Sequence, residues 1–369
     1  AGLPPLLKTN EGRPIDSPAE WMAQRPRLKA MLAYYQYGRM PPKPNSFEIV
    51  EHEKDVRAAS IHESFALQLE RDGRTARVRV GLVRPNRPGR FAVIVKNDRY
   101  TFDLAEIADP RKRQQYTKEG RGEVDDWVVR QGLERGYAIV KFNREDVAPD
   151  RERNRSEGVF PLYPEYDWGT IAAWAWFYQP LIDHLAAQPW ADAEKIVATG
   201  HSRGGKTALC AGIYDERIAV AAPSASGSGG AGSWRYFTPD GRHQDVEDMT
   251  GQQPHWFTPR LTEFIGLDDR LPVGSHTAKA LIAPRALFNT QGADDGLSNP
   301  VGTRKSFDAA QAIFELLGVP EKQAIHWRPG GHGQTKVDWA ALFDFCDRVF
   351  HGKPVQRRFN NWPDAASAR

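Results

Sequence analysis

"KIVATGHSRGGKTALCAG", residues 195–212, decides the fold. A short run rich in β-branched residues, "KIVAT", gives way across Gly-His-Ser-Arg-Gly to an alanine-rich run, "GKTALCAG". The first half reads as a buried strand and the second as a helix. Between them G-x-S-x-G places Ser202 on a sharp strand-to-helix turn. The spacing has a steric cause. A serine pinched between a strand and a helix needs small residues two positions to either side. The pinch lifts its hydroxyl off the sheet and aims the first amides of the helix at a reacting carbonyl oxygen. The bare pentapeptide recurs by chance; the flanking strand and helix patterns make it specific.

Outward from this turn the chain alternates. "RFAVIVKN" and "YAIVKFN" read as buried strands with the helical "DDWVVRQGLERG" between them. "DWGTIAAWAWFYQPLIDHLAAQP" reads as one long apolar helix before the serine strand. After it come a strand in "IAVAAPSAS", a strand in "PRALFNTQG", a helix in "TRKSFDAAQAIFELLG", a strand in "AIHWRPGG" and a closing helix in "VDWAALFDFCDRVFHG". Such alternation implies βαβ units and a mostly parallel sheet covered on both faces. Upstream, residues 46–85 alternate apolar and polar with a turn at Asp72–Gly73, the pattern of antiparallel strands at one edge. Ser17 with Glu20 starts a helix as a capping box, and Gly38 stops it. Nothing divides residues 1–369, so one domain is expected, with an N-terminal extension over 1–45 and an irregular insertion over about 232–275. The fold class expected is α/β: an α/β-hydrolase fold, a three-layer αβα sandwich.

Composition narrows the function. Fifty basic and 47 acidic side chains leave a formal charge of +3, too balanced to argue for nucleic acid or an anionic membrane. The clusters Arg111–Arg113 and Arg151–Arg155 read as solvated loop faces. No run approaches the ~20 apolar residues of a membrane span. Cys210 and Cys346 each fall in a helix-like apolar stretch and read as buried free thiols rather than a bridge. No His/Cys/Asp cluster has ligand spacing, so no metal or cofactor is implied. The start "AGLPPLLKTN" fits a processed secretory protein or a trimmed chain.

A serine hydroxyl needs a base, and the base needs an orienting acid, following in the order serine, acid, histidine. The base candidate is His332, in the Gly-rich loop "RPGGHGQT" after the last strand; His326 and His351 are its rivals. The acid candidate lies in "FNTQGADDGLSNP", where G-x-x-D with a downstream Pro selects Asp295, with Asp294 as the alternative. His201 reads as structural, because adjacent side chains on a tight elbow point apart. The Arg203 backbone N–H is one oxyanion donor. Its guanidinium is either a second donor or the partner of a nearby carboxylate.

"GHSRGGKTA", with "DWGTIAAWAW" upstream and "LIAPRAL" and "RPGGH" downstream, closely resembles the bacterial glucuronoyl esterases of carbohydrate esterase family fifteen. The likeness runs from about residue 17 to 350, and Ser-Arg-x-Gly-Lys is more specific than the general elbow. The resemblance implies a secreted or periplasmic, monomeric enzyme. Its substrate would be the ester joining 4-O-methylglucuronate on xylan to lignin alcohols. Carried over, Ser202 is the nucleophile, His332 the base, Arg203 an oxyanion donor and Lys206 a sugar ligand. Asp240, Trp256 and His276 fall in stretches that resemble substrate-lining parts of the family. Two departures stand out. Ala225 occupies the place where many relatives carry a glutamate acid, which again points to Asp295. Leu297 occupies the place of a stacking tryptophan. Three other functions stay open: an acyl or acetyl esterase of another polysaccharide, a non-catalytic carbohydrate-binding relative, and a serine peptidase, against which the lack of a propeller-like domain argues.

Overall fold

The computed structural model describes residues 2–9, 11–239 and 242–362. Its centre is β4, Phe91–Asp98, in which every residue is buried. Phe91, Val93 and Val95 join one apolar cluster and Ala92 and Ile94 the other, so the period of two sends alternate side chains into two cores. β5 (Tyr137–Asn143) and β6 (Ala191–His201) divide in the same way. Burying each such Val or Ile side chain is worth about 1.5–3 kcal/mol.

Among the described residues nine strands form one sheet in the order β1-β2-β3-β5-β4-β6-β7-β8-β9. The remaining members are β1 (Ser46–Val56), β2 (Ser60–Arg71), β3 (Arg74–Pro85), β7 (Ile218–Ser224), β8 (Ala286–Gly292) and β9 (Gln323–Arg328). β1, β2 and β3 pair antiparallel, and β3 meets β5 antiparallel. From β5 across to β9 every pairing is parallel. The β2–β3 turn is at Asp72 and Gly73, both with positive φ, the hairpin geometry whose twist matches its strands. Helices Arg121–Arg135 and Lys336–His351 cover one face; Thr170–Trp176, Tyr178–Ala186, Arg203–Tyr214, Ser275–Ala280 and Pro300–Leu316 cover the other. This is the α/β-hydrolase fold, with antiparallel strands at its N-terminal edge.

Some local expectations need correction. The long helix before the serine strand is two helices, Thr170–Trp176 and Tyr178–Ala186. Pro180 explains the break: it has no N–H to give to the Trp176 carbonyl, and its ring crowds that turn. The capping box at Ser17 and Glu20 is present, but the helix Pro18–Leu32 runs on as a wider π turn, Ala33–Tyr37, before Gly38 ends it at φ 81°. Arg111–Arg113 lie on a helix, Pro110–Lys118, capped by Asp109, not on a loop. Cys210 and Cys346 are both free and buried.

Candidate active site

In a parallel sheet, ligands gather outside the carboxyl ends of the strands. Here β4, β5, β6, β7, β8 and β9 end at Asp98, Asn143, His201, Ser224, Gly292 and Arg328. Ser202, Asp295 and His332 all follow directly on such ends, from three different strands.

Ser202 has φ 56° and ψ −120°, a strained conformation for a residue with a side chain. Its neighbours must be small for reasons the packing makes explicit. A Cβ on Gly204 would stand 2.7 Å from Asn97 Oδ1, and one on Gly200 would collide with the Gly204 carbonyl. The backbone is held by the Ser202 N–H to Ser224 O bond of 2.9 Å and by the Gly205 and Lys206 amides donating back to Ser202 O.

His332 lies opposite. Its Nδ1 is 2.8 Å from Asp295 Oδ2 and 2.9 Å from Ser298 Oγ. The Ser298 hydroxyl donates to Ala225 O at 2.9 Å, so it accepts from Nδ1–H. With Nδ1 so engaged, Nε2 lies on the opposite side of the ring. Ser202, Arg203 and His332 line one pocket of about 170 Å³. Asp295 is 2% exposed. Burial alone would raise its carboxyl, but the hydrogen bond and charge of His332 and the Ser298 amide outweigh it and hold it below the usual aspartate value. Asp294 is exposed; it accepts the Gly330 amide at 2.7 Å and ties two loops together. His201 packs its ring 4.6 Å from that of His332. Burial, and then the neighbouring His332, Arg121 and Lys96, push its imidazole well below the ordinary value and keep it neutral.

The Arg203 guanidinium is ion-paired with Asp150 and lies 4.7 Å from the Trp256 ring centre. Asp150 also accepts from Arg99 at 2.6 Å, Trp256 Nε1 at 2.8 Å and His255 at 3.1 Å. Those donors, against the cost of burial, hold its carboxyl far below the usual range. The pocket wall carries Lys96, Arg99, Lys112, Arg121, Arg144 and Arg203 against one carboxylate, Asp98. Such a field favours an anion or a charge that becomes negative.

The other residues singled out from sequence fall elsewhere. Lys206 is 4% exposed and does not line this pocket; its ammonium donates to Ser226 O at 2.6 Å and Ser228 O at 2.7 Å. Burial, with Arg203 nearby, lowers it to about 7. Trp256 is buried beside Asp150 rather than on the pocket wall. His276 is 1% exposed and lies under the N-terminal segment, 2.9 Å from Pro4 O. It does not line the pocket with Ser202. Asp240 lies outside the described residues. Among the described residues no group of His, Cys, Asp and Glu is arranged to hold a metal ion. Ser298 and the Asp150 cluster escaped sequence reasoning. An aspartate capping a residue three positions on was a usable signal for Ser298; Asp150, inside a run of alternating charges, gives none.

Strand order, the strained serine and the histidine–aspartate bond together define the class: an α/β-hydrolase with a serine, a histidine and a buried aspartate gathered at one sheet edge. The family model described as "Glucuronyl esterase, fungi" matches residues 124–318, more than half of the chain. The chain belongs to the glucuronoyl esterase family, carbohydrate esterase family fifteen. It is 31% identical over 250 residues to a carbohydrate esterase of an unknown prokaryotic organism, covering 61% of this chain and 56% of that one. It is 28% identical over 320 residues to the 4-O-methyl-glucuronoyl methylesterase of Podospora anserina, covering 84% of this chain and 59% of that one. The chain thus spans less than two thirds of the length of both. It also resembles the solved family-fifteen glucuronoyl esterase from Caldicellulosiruptor kristjansonii, with TM-score 0.78, 28% identity, and 98% of this chain and 94% of that one covered.

Proposed function

We propose that the chain is a serine esterase that hydrolyses esters of 4-O-methylglucuronate, such as those joining glucuronoxylan to lignin alcohols. The observation that carries this reading is the 2.8 Å bond from His332 Nδ1 to the buried Asp295, beside a serine held at positive φ in the same pocket. Asp295 keeps the proton on Nδ1 and leaves Nε2 free to take one. Ser202 Oγ attacks the ester carbonyl, and its proton passes to Nε2. The negative oxygen that results is met by the amide of Arg203 at the start of its helix. His332 then returns the proton to the leaving alcohol, and water, activated by the same imidazole, releases the uronate. The cationic pocket suits both the oxyanion and the acid product. Ser202 and His332 in the apo enzyme need not be hydrogen-bonded, because such contacts tighten when substrate arrives. No helix among the described residues is long and apolar enough to cross a membrane. A plant-polymer substrate supports a secreted or periplasmic setting for this reading.

The experiment is a rate comparison on a benzyl ester of glucuronate and on acetylated xylan. The reading expects turnover of the glucuronate ester, lowered about 10⁶-fold in Ser202→Ala. Turnover of acetylated xylan alone would assign a deacetylase. Activity that survives Ser202→Ala would remove the serine mechanism.

A further inference from the structure

Arg144 is the first residue after β5, and it faces the same pocket as Ser202. It is 5% exposed. Its Nε has no partner, and its guanidinium forms no hydrogen bond or ion pair to any described residue. The carboxylates that would answer it are taken. Asp98 pairs with Lys96 at 2.8 Å, Glu145 with Arg99 at 3.2 Å, and Asp150 with Arg99 and Arg203. The guanidinium rests 5.1 Å from the Trp174 ring centre. Its Nη1 stands 3.3 Å from the point where a Cβ on Gly204 would be, against the first turn of the helix Arg203–Tyr214. A buried cation with unspent donors is costly to keep. Here it adjoins the helix terminus to which negative charge is drawn.

We propose that Arg144 is a catalytic residue: its guanidinium donates to the oxyanion that forms on the ester carbonyl during attack by Ser202. The proposal rests on the reading of Ser202 as nucleophile. As the bond from Oγ to the carbonyl carbon forms, the π pair moves onto the carbonyl oxygen, and the Oγ proton goes to His332. Arg144 keeps its own protons and supplies hydrogen bonds and charge. When the pair returns, the bond to the alcohol oxygen breaks, and that oxygen takes the proton from His332. The Arg203 guanidinium is tied through Nη1 to Asp150, whereas the Arg144 guanidinium stands beside the first helical turn with no bond to any described residue. Burial already depresses the basicity of Arg144, which an anion alongside would relieve.

The test uses Arg144→Gln and Arg144→Lys on the full chain. Three quantities are measured: kcat and KM on benzyl glucuronate, thermal unfolding, and the rate of labelling by a serine-reactive phosphonate ester. The proposal expects Arg144→Gln to lose about 100-fold or more in kcat with KM within about threefold, and Arg144→Lys to recover about tenfold of that loss. It expects the melting temperature of Arg144→Gln to equal or exceed wild type, since an unpaired buried charge is removed. Phosphonate labelling should slow about tenfold or more in the variant. A folded Arg144→Gln with kcat within threefold of wild type, or labelled equally fast, overturns the role of Arg144 and leaves Ser202 standing. A variant that melts well below wild type overturns it too, by making the arginine structural. A wild type that the phosphonate does not label at Ser202 removes the nucleophile reading and this proposal with it.

Discussion

Asp294 and Asp295 are neighbours on one loop with opposite surroundings. Asp294 is exposed and holds the Gly330 amide, while Asp295 is buried and holds His332. A carboxylate that orients a catalytic imidazole typically carries a factor of ~10⁴ in kcat, and a loop-capping one a contribution to stability of about 1 kcal/mol. Asp295→Ala is therefore expected to lower kcat by about 10⁴ with little change in KM, and Asp294→Ala to stay within about tenfold of wild type. Steady-state kinetics on the two variants decides it; the reverse ranking would transfer the acid role to Asp294. Sequence spacing narrowed the acid to this pair and favoured Asp295, because the glycine ending a strand and the following proline frame the loop. Ser298 reaches the same imidazole nitrogen from the next turn; the aspartate three positions before it signals a cap, but not that contact with His332. The structure gives the Lys206 ammonium two carbonyl partners that its sequence position does not announce. Its position one helical turn past the serine is legible, but which way a long side chain folds depends on the carbonyls of residues 226 and 228, which come from another strand's loop.

The elements show the same divide between local and distant signals. Strand alternation over 91–98 and 137–143, and the capping box at Ser17, follow from neighbours in the chain, and they appear where the pattern puts them. The break at Phe177 follows from Pro180, a local signal as well, but the apolar run reads as one long helix and hides it. The place of His276 is not readable locally. It belongs to the short helix Ser275–Ala280 and is covered by an N-terminal segment more than 270 positions away. Burial lowers its imidazole to about 4, with Arg235 and Lys279 pushing the same way against the bond to Pro4. Because the folded value is depressed below the unfolded one, near 6.5, the unfolded chain binds the extra proton first. The stability tied to a neutral His276 is complete above pH 6.5 and is lost as pH falls toward 4. The gap is worth about 3 kcal/mol at full extent. Denaturant unfolding at several pH values should show a shallower acid loss in His276→Gln than in wild type. Equal slopes for the two would place this histidine in contact with water.

At the scale of the molecule, the sheet brings together residues far apart in sequence. Ser202 follows β6, Asp295 follows β8 and His332 follows β9, and parallel pairing from β5 to β9 turns all three ends to one edge. The strand–helix alternation made that edge legible, but the basic lining of the pocket was not, because Lys96, Arg121 and Arg144 become neighbours only through the folded sheet. The account's central claim is that the three side chains act as one unit. The most direct measurement is kcat of the double variant Ser202→Ala with Asp295→Ala beside each single variant. Residues of one catalytic unit are strongly non-additive. The account predicts that the double variant is as slow as Ser202→Ala alone, within about threefold, although Asp295→Ala by itself costs about 10⁴. A double variant slower by the full product of the two single losses would contradict it.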